Sequence, residues 1–76
     1  MTITVVMHGN LRRFLPDGAA QGAVELPEGA TISVLLDRLG AADDTWLVAR
    51  NQVAAERDAV LAAGDVVDCF EPVAAG

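Results

Sequence analysis

Residues 31–40, TISVLLDRLG, contain the clearest structural pattern in the sequence. The apolar residues of this stretch recur at i, i+3, i+4 and i+7, the spacing of one buried helix face: Ile32, Leu35, Leu36 and Leu39. Thr31 precedes this run as an N-cap, and Gly40 follows it in the position where helices commonly stop. The pattern therefore predicts an amphipathic helix over 32–39 that packs against other elements.

Extended segments flank this helix on both sides. β-branched and alternating residues predict strands over 2–8, 23–26, 45–49 and 66–70, with a short edge strand at 53–54. Leu61 is a plausible core anchor in the segment that leads to the last strand. Pro72 ends that strand, because proline cannot donate a hydrogen bond within a central strand.

Two strands followed by one helix and further strands is the order of the β-grasp fold. We expect an α+β protein with a mixed sheet of four to five strands and one main helix packed across it. A right-handed crossover through the helix would place the third strand parallel to a neighbour. We divide the chain into a β-grasp domain, residues 1–71, and a flexible C-terminal tail, residues 72–76.

Composition limits the classes of partner. The 76 residues carry five arginines, no lysine and eleven acids, for a net charge of −6. An acidic surface repels phosphate backbones, which argues against a nucleic-acid partner. No apolar run approaches the ~20 residues of a membrane span. The N-terminus lacks the basic region and cleavage site of a signal peptide, so a cytoplasmic protein is expected.

The final residues form a short tail that stops at a glycine. The carboxylate of Gly76 has no side chain beside it, so it can enter a narrow channel in another enzyme and be activated there. Gly76 is therefore the candidate functional residue. The residues that lead to it are the candidate partner-binding set: Phe70, Glu71, Pro72, Val73, Ala74 and Ala75.

Phe70 is the candidate anchor of that set. If Val67 and Cys69 face the core, strict alternation turns Phe70 outward. An exposed phenylalanine beside an apolar tail can fill a pocket in a partner. The alternative is that Phe70 covers the edge of the core.

The remaining reactive side chains give weak signals. Cys69 lies in an apolar strand and is expected to be a buried core thiol, and His8 a strand-end histidine without a metal. One histidine and one cysteine do not make a recognisable catalytic pair, so an independent enzyme is the least supported class.

Trp46 is expected to be core or half-buried. Arg12 and Arg13 are either a solvated loop pair or a grip on an acidic partner.

Four stretches, taken in order, resemble the ubiquitin-like sulfur carriers. They are residues 11–14, 25–31, 47–52 and 61–76, and together they cover most of the chain. The resemblance is greatest to the small subunit of molybdopterin synthase, with the thiamine-biosynthesis carrier as a related protein.

The resemblance implies a carrier rather than an enzyme. A ubiquitin-activating-type adenylyltransferase would join the Gly76 carboxylate to AMP, using ATP that the activating enzyme binds. A sulfur donor, such as a desulfurase or rhodanese, would then leave a thiocarboxylate. A larger synthase subunit would use that sulfur to make molybdopterin, the ligand of the molybdenum or tungsten cofactor. The carrier itself would bind no cofactor.

Two residues depart from the family pattern. The family normally ends in Gly-Gly, whereas Ala75 is penultimate here, and its methyl group would crowd a narrow channel. Two alternatives follow from Ala75. Either the activating enzyme has a channel wide enough for the methyl group, or the chain has become a non-catalytic β-grasp interaction subunit that no longer carries sulfur. A modifier joined through Gly76 to lysines of other proteins is a further alternative. Glu71 stands where the family often has an apolar residue or proline, which predicts a changed choice of partner.

Overall fold

The computed structural model describes residues 1–72. Within them, five strands form one mixed sheet, and one α-helix packs across it. The elements are β1 (Thr2–Met7), β2 (Gln21–Glu25), α1 (Ile32–Leu39), β3 (Leu47–Arg50), β4 (Val53–Ala54) and β5 (Val66–Phe70). Two short 3₁₀ segments, Gly9–Phe14 and Pro16–Gly18, connect β1 to β2. No helix in this part of the chain is long and apolar enough to cross a membrane.

The strands lie in the order β2-β1-β5-β3-β4. β1 and β5 are parallel, and the other three neighbouring pairs are antiparallel. The predicted β-grasp fold is confirmed, but the prediction of a parallel neighbour for the third strand is wrong. The connection through α1 passes over β1 and β5, so β3 runs in the direction of β2 but is separated from it by these two strands.

The helix forms where its periodicity predicts. Thr31 caps it by accepting a hydrogen bond from the Val34 N–H at 3.3 Å, and Gly40 ends it with a left-handed φ of 74°. Ile32, Leu35 and Leu36 are fully buried against the sheet. Burying each such side chain contributes roughly 1.5–3 kcal/mol relative to leaving it exposed.

The other side of the core comes from alternation in the central strands. Its fully buried members are Ile3 and Val5 of β1 and Val67 and Cys69 of β5. Leu61 is also buried, as predicted for the anchor of the connector that leads to β5. Because β5 lies between β1 and β3, its core residues are held on both sides.

Three strands differ from their predicted bounds by one or two residues. β1 ends at Met7 rather than 8, β2 spans Gln21–Glu25 rather than 23–26, and β3 spans Leu47–Arg50 rather than 45–49. Thr45 belongs to the turn after α1, because its N–H donates to the Ala41 carbonyl at 3.0 Å. Turn geometry therefore overrides the β-propensity of threonine at this position.

A polar network secures the start of β5. The Asp65 carboxylate accepts hydrogen bonds from Arg50 Nε at 2.7 Å, from Asn51 Nδ2 at 3.0 Å and from the Ala62 N–H at 2.8 Å. Asn51 Oδ1 in turn accepts from the Val66 N–H at 2.9 Å. We call these contacts the Asp65 network. It ties the β3–β4 turn to the first residue of β5.

Candidate functional site

The opposite end of β5 carries the residues singled out in the sequence. Val67 and Cys69 are fully buried on the helix side, and Phe70 faces the other side of the sheet and is half-buried. Phe70 lies directly across from Leu47 of β3. Alternation therefore predicted the side on which Phe70 lies.

His8 covers one face of the Phe70 ring. The two rings stack with centroids 4.4 Å apart and planes 10° from parallel. His8 Nε2 lies 2.9 Å from Asp68 Oδ2, so the imidazole is held from two directions. The contacts fix the orientation of Phe70, a role that the sequence did not assign to His8. The residues are 60 or more positions apart along the chain and meet because β1 and β5 are neighbours.

Two further apolar side chains stand exposed beside Phe70. Trp46 is 69% exposed and Leu47 is 43% exposed. The prediction that Trp46 is core or half-buried is wrong. Trp46 lies in the connection from α1, before the strand whose alternation buries Val48. Its backbone N–H donates to the Phe70 carbonyl at 2.8 Å, which holds the tryptophan next to the end of β5.

Together these residues border an open groove of about 510 Å³. We call it the tail-root groove, because it lies where the chain leaves β5 toward its C-terminus. Its lining is His8, Gly9, Asn10, Trp46, Leu47, Phe70, Glu71 and Pro72. Exposed aromatic and aliphatic side chains of this kind mark surfaces that bind other proteins.

The predicted partner-binding residues divide into two groups. Phe70, Glu71 and Pro72 all line the tail-root groove. Val73, Ala74, Ala75 and the predicted functional residue Gly76 lie outside the described residues. Glu71 is half-buried, and its carboxylate accepts a hydrogen bond from the Asn10 N–H at 2.6 Å.

Cys69 is a core residue rather than a reactive thiol. Burial, helped by the nearby Asp68 carboxylate, raises the pKa of its thiol to about 11. The thiolate is the nucleophilic form, so almost none is present near neutral pH. Within residues 1–72, no group of three or more His, Cys, Asp or Glu side chains is placed to hold a metal ion.

The arginine pair makes local contacts. Arg12 Nε donates to the Gly18 carbonyl at 2.9 Å. Arg13 donates to the Asn10 carbonyl at 2.7 Å and pairs with Asp44 at 3.2 Å. Both side chains are exposed, in agreement with the solvated loop pair.

Comparisons with known proteins give a consistent result. The sequence matches the ThiS family over residues 7–76. The structure of SAMP1 from Haloferax volcanii matches with a TM-score of 0.82 and 24% identity over 100% of both chains. A putative molybdopterin converting factor subunit 1 from Pyrococcus furiosus matches at 0.79 and 24% identity, over 96% of this chain and 99% of that one.

A third structure, the complex of subunits 1 and 2 of molybdopterin-converting factor from Helicobacter pylori, matches at 0.64 and 20% identity over 100% of both chains. No curated protein matches the chain at a significant level of sequence similarity. At such identities the structural matches establish the fold, and the family match covers nearly the whole sequence. The chain therefore belongs to the ThiS family of ubiquitin-like sulfur carriers.

Proposed function

We propose that this chain is activated as an acyl-adenylate and thiocarboxylated at Gly76, and that it donates this sulfur in molybdopterin biosynthesis. The observation that carries the proposal is the position of the tail-root groove. It places an exposed apolar surface at the root of the segment that leads to Gly76. A partner that binds this groove therefore has the terminal carboxylate within reach.

The chemistry requires an activated carboxylate. In the first step a Gly76 oxygen attacks the α-phosphate of ATP, which forms the acyl-adenylate and releases pyrophosphate. In the second step hydrosulfide attacks the carbonyl carbon of the Gly76 acyl-adenylate, a C–S bond forms, and AMP leaves with the electron pair of the broken C–O bond. Adenylation is needed because a bare carboxylate has no leaving group. The activating enzyme would supply the ATP site.

The contribution of this chain is positioning. β5 is hydrogen-bonded to β1 on one side and β3 on the other, so its last residue has a fixed place. Residues 72–76 span about 16 Å when extended, at roughly 3.3 Å per residue. We therefore keep the division into a β-grasp domain, 1–71, and a tail, 72–76. Docking the domain would deliver one reacting atom to the partner's site.

The partners follow from the same arrangement. An adenylyltransferase and a larger synthase subunit would each bind the tail-root groove in turn. A desulfurase or rhodanese would supply the sulfur as a persulfide, and a thiol reductant would release it as hydrosulfide while being oxidised to a disulfide. The Helicobacter pylori complex pairs subunit 1 with a subunit 2, and we propose an equivalent partner here. The net charge of −6 favours partners with basic binding surfaces and fast, salt-sensitive association.

A second candidate function rests on Ala75. A methyl group where the family has glycine removes conformational freedom next to the reacting carboxylate. In this alternative the chain is an interaction subunit that uses the tail-root groove but carries no sulfur.

Mass spectrometry separates the two functions. The chain is incubated with ATP, a candidate adenylating enzyme and a sulfide donor, and its intact mass is measured. We expect the mass change of one oxygen-to-sulfur exchange in the wild type and in Ala75→Gly, and none when Gly76 is deleted. Modification of Ala75→Gly alone would instead support the interaction subunit. Higher-mass adducts that require Gly76 would indicate a protein-conjugating modifier.

A further inference from the structure

The Glu71 side chain contacts the main chain of a segment that is distant in the sequence. Glu71 is the first residue after β5, and its carboxylate accepts the Asn10 N–H at 2.6 Å. We propose that Glu71 is a positioning residue of the carrier. By holding the end of β5 to the Gly9–Asn10 backbone, it sets the direction in which Pro72 and the tail leave the sheet. This inference rests on the proposed function.

The Glu71 contact lies one residue beyond the last backbone hydrogen bonds of β5. His8 donates its N–H to the Cys69 carbonyl at 3.1 Å, and Trp46 donates to the Phe70 carbonyl at 2.8 Å. These bonds hold the main chain of β5 on both sides up to Phe70. Within residues 1–72, the backbone of Glu71 makes no such bond to either neighbour. The Glu71 side chain therefore extends the attachment by one residue.

Gly9 makes room for this contact. A β-carbon added at Gly9 would overlap Glu71 Oε2, so the carboxylate lies directly against the glycine backbone. Gly9 also has a left-handed φ of +62°, which side chains disfavour. We call the hydrogen bond from Asn10, together with the packing on Gly9, the Glu71 latch. It joins Glu71, the residue directly after β5, to the 3₁₀ segment after β1.

The latch matters because the tail acts at a distance. Five residues, 72–76, lead from the latch to the reacting carbon, so loss of the latch lets the tail start from a range of positions and directions instead of one. Misplacing a reacting atom lowers the rate of the chemical step more than it weakens docking. The apolar contacts of Phe70 would still supply the docking energy. Loss of the latch should therefore lower kcat more than it raises KM.

A direct contact between the Glu71 charge and a basic residue of the partner would give a different signature. Glutamine at position 71 keeps a carbonyl oxygen for the Asn10 N–H but loses the charge. Positioning predicts that Glu71→Gln loses less kcat than Glu71→Ala, whereas a charge contact predicts equal losses in the two variants. A charge contact would also act mainly on KM and would weaken with salt.

The experiment compares four proteins: wild type, Glu71→Ala, Glu71→Gln and Glu28→Ala. Glu28 is an exposed acid in the turn after β2, at the far end of β1 from His8, so its variant controls for the loss of one negative charge. The kcat and KM for the carrier are measured in ATP–pyrophosphate exchange with the activating enzyme. The amide proton of Asn10 is followed by NMR in each protein alone.

We expect Glu71→Ala to lower kcat about fivefold with KM changed by less than about twofold, as for loss of an aligning contact. Glu71→Gln should keep a higher kcat than Glu71→Ala, because its carbonyl oxygen still accepts from the Asn10 N–H, and Glu28→Ala should stay within about twofold of the wild type in both constants. The Asn10 amide proton should move upfield and exchange faster in Glu71→Ala, and should be largely retained in Glu71→Gln. Unchanged kinetics of Glu71→Ala, or equal losses in Glu71→Ala and Glu71→Gln, would overturn the positioning role.

The NMR result keeps this inference separate from the proposed function. A wild-type protein that is never activated, but shows the Asn10 shift that depends on Glu71, would contradict sulfur carriage while leaving the latch in place. If the wild type is activated but the chemical shift and exchange rate of the Asn10 amide proton are the same in Glu71→Ala, only the latch would be contradicted.

Discussion

The two ends of β5 are built in opposite ways. At its start, the Asp65 network pairs polar groups with one another around a buried carboxylate, since Asp65 is only 7% exposed. At its end, apolar side chains stay open to solvent, with Trp46 69% exposed. Native proteins normally hide such groups unless they serve recognition. The difference indicates that hydrogen bonds anchor the start of β5, while its end presents an exposed apolar surface that a partner can bind.

The two ends also differ in what replacement of a residue should change. The polar end should govern the free energy of unfolding with little effect on docking. The apolar end should govern docking with little effect on unfolding. Each prediction below tests one side of this division.

Removing the anchor should give the largest effect. Asp65→Ala leaves the Ala62 N–H and the Asn51 amide without their acceptor, and we expect it to lower the free energy of unfolding by about 2 kcal/mol. Urea unfolding followed by far-UV circular dichroism measures this, since the exposed Trp46 is a poor probe of folding. Exposed Asp43→Ala is the matched control and should change stability by less than about 0.5 kcal/mol. A loss as small as in the control would contradict the anchoring role.

Truncating Phe70 should produce the reverse pattern. Phe70→Ala removes the central aromatic of the tail-root groove, so we expect affinity for the activating enzyme to fall about tenfold or more. The ring is half-buried on the outer side of the sheet, so the free energy of unfolding should fall by less than about 1.5 kcal/mol. Calorimetric titration and urea unfolding give the two values. Equal affinity of wild type and variant would remove the groove from the docking surface.

Acid should lower the free energy of unfolding through the Asp65 network. Hydrogen bonding by the Ala62 N–H, then by the Asn51 amide, lowers the pKa of Asp65 below its unfolded value of 3.8. A depressed carboxyl pKa stabilises the fold above the unfolded value, and this contribution is lost as pH falls through the folded value. The unfolding free energy of the wild type should therefore decline below about pH 4, and that of Asp65→Asn should decline less steeply. Parallel acid profiles of the two proteins would exclude this group as a source of acid sensitivity.

The smallest effect should come from the side chain that orients Phe70. His8→Ala removes the stacked imidazole, and aromatic pairs of this kind contribute about 0.5–1.5 kcal/mol. We expect a few-fold loss of partner affinity, smaller than for Phe70→Ala. In the double variant His8→Ala/Phe70→Ala, the first change should have almost no added effect. Fully additive losses would mean that His8 acts independently of Phe70.

Much of the fold could be predicted from patterns in the sequence. The periodicity of residues 32–39 located the helix and its buried face, and alternation gave the sides of Val67 and Phe70. The direction of β3 relative to its neighbours did not follow. A crossover rule fixes the hand of a connection, but the number of strands it passes depends on the whole sheet.

The groove was harder to predict because its residues are far apart in the sequence. His8, Trp46 and Phe70 come from three segments that meet only through the strand order. The Glu71 latch has the same origin, since its donor is 61 residues away. The composition of each segment alone contains no signal for such contacts. The tail stays a prediction from the sequence, since residues 73–76 lie beyond the described part of the chain.

The most direct test of sulfur carriage is the intact mass of the protein isolated from its native host, with its C-terminal peptide sequenced. We expect a population in which one oxygen of the Gly76 carboxylate is replaced by sulfur, and a smaller such population in Phe70→Ala. An unmodified Gly76, under conditions where a relative ending in Gly-Gly is thiocarboxylated in the same cells, would contradict sulfur carriage.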